Sequence, residues 1–246
     1  MWDPAQYLAF ADHRARPFYE LVGRVRASEP RRVVDVGCGP GNLTSSLSAR
    51  WPSAVVEAFD SSPEMVEAAR AAGVDARVDD VTTWEPLPDT DVVVSNAVLQ
   101  WVASHPSIVS KWAGALPPGA WLAFQVPGNY ADASHRLIRE VAGEGLAHVF
   151  RAEKPVLDPV EYADLLGDCA VTDVWETTYV QRLSGPDPVL EWVSGTALRP
   201  VRAALSSADW DAYVAELAPR LREAYPQRAD GTTWFPFRRI FAVAQV

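Results

Sequence analysis

From residue 33 to residue 125, short β-branched runs alternate with stretches whose apolar positions recur at helical spacing. Residues 33–36, 55–59, 92–95 and 121–125 predict strands. Between the first two, residues 42–50 place Leu43 and Leu47 four apart, and Pro63 opens a stretch with Met65, Ala68 and Ala69 facing inward. Both read as crossover helices. Residues 106–116 predict a third, stopped by the turn Pro117-Pro118-Gly119. Strands joined by helices in this way predict a doubly wound, mostly parallel sheet covered on both faces.

After residue 125 the rhythm changes. Residues 134–149 predict one helix, residues 171–183 a long strand, and residues 237–246 an alternating final strand. Between those two strands, residues 186–230 read as helical and rich in Trp. An insertion of that size must leave the sheet at an end, because connections do not thread a packed core. The expected organisation is therefore a single domain over 1–246: an N-terminal helical cover at 1–30, a ligand-binding core at 31–130 and a helical lid at 185–232. In the cover, Tyr7, Leu8, Phe10, Phe18, Leu21 and Val22 fall at roughly helical spacing.

Length and composition agree with one sizeable core: 246 residues, 48% hydrophobic and 22% charged, with no apolar run approaching the roughly 18 residues of a membrane span. No membrane partner is expected. The N-terminus shows neither the basic start nor the apolar stretch of a secretory signal, so a cytoplasmic protein is expected. Cys38 and Cys169 have neither metal-site nor disulfide spacing. A net charge of -10 disfavours nucleic acid, whose binding needs many Lys and Arg at once. A small anionic substrate would need a local cluster of Arg or His instead.

The candidate chemistry begins at Val33-Val34-Asp35-Val36-Gly37-Cys38-Gly39-Pro40-Gly41, an apolar strand that runs into a glycine-rich turn and then a helix. Glycines let backbone approach a ligand closely, and the helix start offers unpaired N–H groups. The dinucleotide fingerprint G-x-G-x-x-G does not fit, since the third glycine arrives early, Asn42 follows it, and Asp35 lies two residues before Gly37. This pattern favours S-adenosylmethionine over a nicotinamide dinucleotide.

Asp60, nineteen residues past Gly41, ends the second strand, where a carboxylate can accept from both ribose hydroxyls. Its alternative role is to cap the following helix, as Ser61 and Ser62 also can. Asp80, in Val78-Asp79-Asp80-Val81 between the strands at 55–59 and 92–95, is a candidate acceptor for an adenine amino group, with Asp79 as competitor. Asn96, Gln100 and Trp101 follow the strand at 92–95, at the sheet edge where the transferred methyl should lie, and Trp101 serves equally well as core. The expected cofactor set is thus Asp35, Gly37, Cys38, Gly39, Gly41, Asn42, Asp60, Ser61, Met65, Asp80, Val81, Asn96, Gln100 and Trp101.

These motifs resemble the class I S-adenosylmethionine-dependent methyltransferases, and the resemblance covers nearly the whole chain. It runs from Trp2-Asp3-Pro4, Tyr7-Leu8 and Arg16-Pro17 through Gly37 to Asn42, Asp60-Ser61-Ser62-Pro63 and Asn96 to Trp101. It continues through Trp175 to Tyr179, Leu198-Arg199-Pro200 and Phe235-Pro236-Phe237-Arg238-Arg239. It implies a Rossmann-like, seven-stranded, mostly parallel sheet with the last strand antiparallel. The outer motifs resemble a branch of the family acting on a small-molecule tricarboxylate, and Asp79 departs from a place where a small residue is commoner.

The implied reaction moves a methyl from a sulfonium to a carboxylate oxygen, giving a monomethyl ester. A carboxyl group of pKa about 4 is already ionised at neutral pH, so no general base, catalytic side chain or metal is expected. Arginines should grip the carboxylates that do not react, since a guanidinium on the nucleophilic oxygen would hold its electrons back. The candidates are Arg16, Arg199, Arg238 and Arg239, with Tyr7, Gln125 and Asn129 beside them. A surface charge is the commoner fate of any one arginine. The competing readings are a methyltransferase for another small-molecule acceptor, a nucleotide-dependent oxidoreductase on the same sheet, and a non-catalytic binding module. Oligomeric state is not legible.

Overall fold

The computed structural model describes residues 11–150 and 155–246, with side chains from Ala15 onward. Tyr7, Leu8 and Phe10 lie outside the described residues. Seven strands form one sheet in the order β3-β2-β1-β4-β5-β7-β6. They are β1 (Arg32–Val36), β2 (Val55–Asp60), β3 (Ala76–Val78), β4 (Thr90–Asn96), β5 (Trp121–Pro127), β6 (Val171–Ser184) and β7 (Thr232–Gln245). The first five pair in parallel. Val33, Val34 and Val36 of β1, Val92, Val93 and Val94 of β4, and Leu122, Ala123 and Phe124 of β5 are buried, as strands covered on both faces must be.

Strand β7 runs antiparallel to β5. The N–H of Val246 donates to the carbonyl of Ala120, whereas at the other end of the ladder the N–H of Gly128 donates to the carbonyl of Arg238. The expected antiparallel last strand is therefore present, but it begins at Thr232 rather than at 237. Buried Phe235 and Phe237 alternate with exposed Trp234 and Pro236, so the period of two starts before the run that the sequence pattern singles out.

The helices of the first half are α1 (Ala11–Arg24), α2 (Thr44–Arg50), α3 (Pro63–Ala71) and α4 (His105–Ala115). Pro63 opens α3, whose first turn is capped by Ser62, the hydroxyl accepting the N–H of Met65. The helix expected over 134–149 is two pieces: α5 (Ala133–Ala142) and a 3-10 segment Glu144–Val149, divided at Gly143, where φ is +61°. A short helix α6 (Pro159–Leu165) follows. Residues 185–232 hold α7 (Pro188–Ser194), α8 (Arg199–Ala204) and α9 (Ser207–Ala224). Among the described residues no helix is long and apolar enough to cross a membrane.

The backbone clusters into two compact units. The first gathers the described residues up to Val126, Val156–Glu176 and Ile240–Val246; the second gathers those of Pro127–Pro155 and Thr177–Arg239. All of the parallel strands except Pro127 belong to the first, whereas α5 and α7 to α9 belong to the second.

Candidate functional site

In the first unit, the carboxyl ends of the parallel strands stand along one edge, and the strand order turns between β1 and β4. Ligands of open α/β sheets bind at such a turning point. Both strands there end in unusual backbone. Gly37 (φ +73°), Gly39 (+57°) and Gly41 (+75°) lie in the left-handed region. A Cβ on Gly37 would stand 2.2 Å from Val98 Cγ2, and one on Gly41 would stand 2.9 Å from Ala69 Cβ on α3. Ala97, just after β4, is the one non-glycine among the described residues with positive φ, at +59°. A strained alanine costs about 1–2 kcal/mol, and such strain clusters at functional sites.

The glycine turn is tied to β2. The N–H groups of Gly37 and Cys38 both donate to the carbonyl of Phe59, at 2.8 and 3.0 Å. The N–H of Gly39 donates to Asp60 Oδ2 at 3.0 Å, and the N–H of Ser62 donates to Asp60 Oδ1 at 2.9 Å. Asp60 therefore holds the glycine turn with one oxygen and the entry to α3 with the other. The helix cap is Ser62; Ser61 is exposed, and Met65 is buried in the first turn.

Behind the turn, Asp35 is buried and accepts from the Thr44 hydroxyl at 2.6 Å. Burial raises its pKa to about 6, with the charge of Asp60 acting the same way and the Thr44 bond opposing. The Cys38 thiol is pushed far up, by burial first and then by Asp35 and Asp60, so it stays protonated and poorly nucleophilic. Asn42 is exposed.

Next to this knot, the N–H of Asp79 donates to the Asp60 carbonyl at 3.2 Å, which brings the end of β3 to the end of β2. Asp80 is exposed, and its Oδ1 accepts from the Thr82 N–H and hydroxyl at 2.8 Å each, bonds that lower its pKa. Val81 is buried. At the end of β4, Asn96 stands opposite Gln125 in register, and the Ala97 N–H donates to the Gln125 carbonyl at 2.9 Å. Gln100 is buried, its Nε2 donating to the Ala97 carbonyl at 2.6 Å; Trp101 is half-buried. Ser95 Oγ, Asn96 Oδ1 and Gln100 Oε1 are buried with no hydrogen-bond partner among the described residues. Buried polar atoms are rarely left so, and three of them near a glycine turn suit a polar ligand.

The remaining candidates fall elsewhere. Arg16, on α1, is exposed and ion-paired with Glu20 at 2.7 Å. Four lie in the second unit. Arg238 is half-buried, and its Nη1 donates to the Gly128 carbonyl at 3.1 Å. Arg239, on the opposite face of β7, is 5% exposed, with its guanidinium 4.8 Å from the centroid of the Phe237 ring. Trp192 lies against both Phe237 and Phe235, and Phe235 against Tyr225, with centroids 5.3 to 5.8 Å apart. Arg199 opens α8 half-buried, and burial draws its pKa down. Asn129 is buried beside His135.

Three residues at these places escape the sequence reading. Thr44 carries a detectable signal, a hydroxyl at the start of the helix behind a glycine turn. Val98 carries none, since its role is to fill the space that Gly37 leaves by having no side chain. His135 carries none either, because its neighbour Asn129 is six residues away along a bend that no periodicity announces.

A family model described as a methyltransferase domain matches residues 7–165. A trans-aconitate 2-methyltransferase of Rhodococcus jostii is 63% identical, with the match covering 100% of both chains. Among solved structures, the YcgJ protein of Bacillus subtilis is similar with a TM-score of 0.58 and 12% identity, over 94% of this chain and 99% of that one. Phosphoethanolamine N-methyltransferase 2 of Haemonchus contortus, solved with S-adenosyl-L-methionine, gives 0.54 and 16%, over 94% of this chain and 52% of that one. At those identities the two solved structures show a shared fold.

Proposed function

This chain belongs to the trans-aconitate 2-methyltransferase family of class I methyltransferases, and from that premise we propose that it transfers a methyl group from S-adenosylmethionine to one carboxylate of trans-aconitate, giving a monomethyl ester. The observation that carries the cofactor half of this reading is the glycine turn closed onto Asp60 at the point where the strand order reverses. When bound, S-adenosylmethionine supplies an electrophilic methyl on a positively charged sulfur.

Each Asp60 oxygen accepts one backbone N–H, which leaves lone pairs for the two ribose hydroxyls. Asp80 retains acceptor capacity in the same way for an adenine amino group. Ser95, Asn96 and Gln100 offer buried polar atoms that a polar ligand would satisfy, while the bare backbone of Gly37 and Gly41 lets the turn pack against Val98 and Ala69, and Gly39 has open space beside it. Trp101 and Met65 supply apolar walls. Cys38, half-buried and protonated, does not compete as a nucleophile.

No catalytic base is assigned, because the acceptor carboxylate is ionised at neutral pH and attacks directly once aligned. The work left to the protein is to hold the acid. Arg199, Arg238 and Arg239, with Asn129, are the second-unit candidates for gripping the carboxylates that do not react. Arg239 ranks first: a guanidinium held out of water over an aromatic ring attracts a carboxylate more strongly than a hydrated one. Exposed, Glu20-paired Arg16 ranks last. Two free cysteines support a reducing, cytoplasmic setting, and the net charge of -10 supports a small molecule over nucleic acid.

Radiolabelled methyl transfer over a panel of di- and tricarboxylates tests this reading. The expected result is a monomethyl ester of trans-aconitate, identified by mass spectrometry. Turnover of a neutral acceptor with trans-aconitate untouched would refute it.

A further inference from the structure

The second unit holds a side-chain amide whose orientation matters to the proposed substrate. Asn129 is 1% exposed. One end of its amide, placed as Nδ2, lies 3.4 Å from His135 Nδ1. The other end, placed as Oδ1, is buried with no hydrogen-bond partner among the described residues. Ser134 Oγ lies 3.3 Å from the same ring nitrogen. Oxygen and nitrogen of an amide are alike in size, so their partners decide which is which.

The deciding partner is the imidazole. With its proton on Nε2, Nδ1 accepts from the Asn129 amine, and a carbonyl oxygen is left at the buried, unpartnered end. With its proton on Nδ1, the ring donates to Asn129 Oδ1, and the amine takes that end. A ligand carboxylate accepts hydrogen bonds and gives none, so only the second arrangement helps to bind it. The place is suited to an anion in another respect: Arg238 donates to the carbonyl of Gly128, the residue before Asn129, and so brings a positive charge to this segment. His135 is held against Tyr130, centroids 5.1 Å apart, and burial, with Arg139 adding to it, lowers its pKa to about 4, which keeps the ring neutral.

We infer that His135 is a positioning residue: as the Nδ1–H tautomer it donates to Asn129 Oδ1 and thereby turns the Asn129 amine toward a carboxylate of the substrate. The inference rests on the trans-aconitate reading for the identity of that carboxylate, but not for the tautomer.

The first measurement is made on the free protein, by nitrogen-15 NMR of the His135 ring. Protonated Nδ1 with unprotonated Nε2 is expected; the reverse pattern would overturn the inference. The second is kinetic. His135→Leu should raise KM for trans-aconitate about tenfold while kcat and the KM for S-adenosylmethionine stay within about twofold, as for one lost neutral hydrogen bond. His135→Asn, whose amide nitrogen falls where Nδ1 was, should restore KM to within about threefold; failure of both variants alike would speak against positioning. Asn129→Asp should bind trans-aconitate at least about tenfold more weakly than Asn129→Ala, since it sets oxygen against oxygen. Equal or tighter binding by Asn129→Asp would show that the amine does not face the acid. If the unmodified enzyme leaves trans-aconitate unmethylated, the substrate reading falls instead, and the ring spectrum still decides the amide's orientation.

Discussion

The two units carry their candidate chemistry in different materials. In the first, the candidates are built largely on backbone: three left-handed glycines, a strained alanine, and a carboxylate whose oxygens are already tied to main-chain N–H groups, beside the polar side chains of Asp80, Ser95, Asn96 and Gln100. In the second they are side chains, Asn129, Arg199, Arg238 and Arg239, on segments far apart in sequence. A backbone site is a demand of geometry and leaves glycines at set intervals. A side-chain site leaves only residue types that occur everywhere. The contrast sets the candidate donor contacts of the first unit beside the candidate acid contacts of the second, and each set can be tested by itself.

The largest effect should come from Gly37→Ala. Its Cβ would meet Val98 at 2.2 Å in a backbone conformation that alanine disfavours. Left-handed strain and overpacking together should cost about 2–5 kcal/mol. We expect calorimetric binding of S-adenosylmethionine to be lost and the thermal midpoint to fall. A Gly37→Ala, Val98→Ala double variant should recover part of both, because it removes the clash and leaves the strain. Normal cofactor affinity in the single variant would mean that the turn is not where the donor binds.

Next in size is Arg239→Ala. Removing a buried guanidinium from a carboxylate should cost about 2–3 kcal/mol, seen as a rise of about 100-fold in KM for trans-aconitate with cofactor affinity unchanged. Arg239→Lys should remain impaired, since an ammonium does not reproduce the planar fork. Arg238→Ala should do less, its guanidinium being partly exposed and already committed to the Gly128 carbonyl. If cofactor affinity falls as far as acid affinity does, the division between the units fails.

How much was legible follows from the same contrast. The glycine turn, Asp60 and four of the five parallel strands stand apart because each is forced by a local rule: strands buried on both faces are continuous apolar runs, and left-handed turns are glycine. The other strand, β3, carries no such run, being three residues long with Val78 exposed. The start of β7 is missed because Pro236 interrupts the run, although the alternation continues through it. Helix α6 is missed even though Pro159 at its start and the reciprocal bonds of Asp158 and Glu161 announce it. The break of α5 at Gly143 is a positive-φ demand that a helical periodicity running on to 149 conceals. In the second unit, Arg238 and Arg239 are singled out by resemblance, and the alternation of a strand shows only that they face opposite ways. The burial that separates them is a property of the packed fold.

The smallest of these effects, and the one that most sharpens the contrast, belongs to Asp60. Its carboxylate has two duties to separate: it holds the N–H groups of Gly39 and Ser62, and it is proposed to accept from the ribose. Asp60→Ala removes both, so a fall of about 1–3 kcal/mol in affinity for S-adenosylhomocysteine does not by itself identify the ribose. A cycle with a cofactor analogue lacking the ribose hydroxyls does. In the unmodified protein the analogue should bind about tenfold more weakly than S-adenosylhomocysteine, because it forfeits the Asp60 contact. In Asp60→Ala the two ligands should bind within about twofold of one another, since the contact is already gone. Throughout, KM for trans-aconitate should hold within about twofold when cofactor is saturating. If the variant still separates the two ligands by about tenfold, Asp60 serves only to tie the glycine turn to α3, and the ribose partner must be sought among the polar atoms left unpaired after β4.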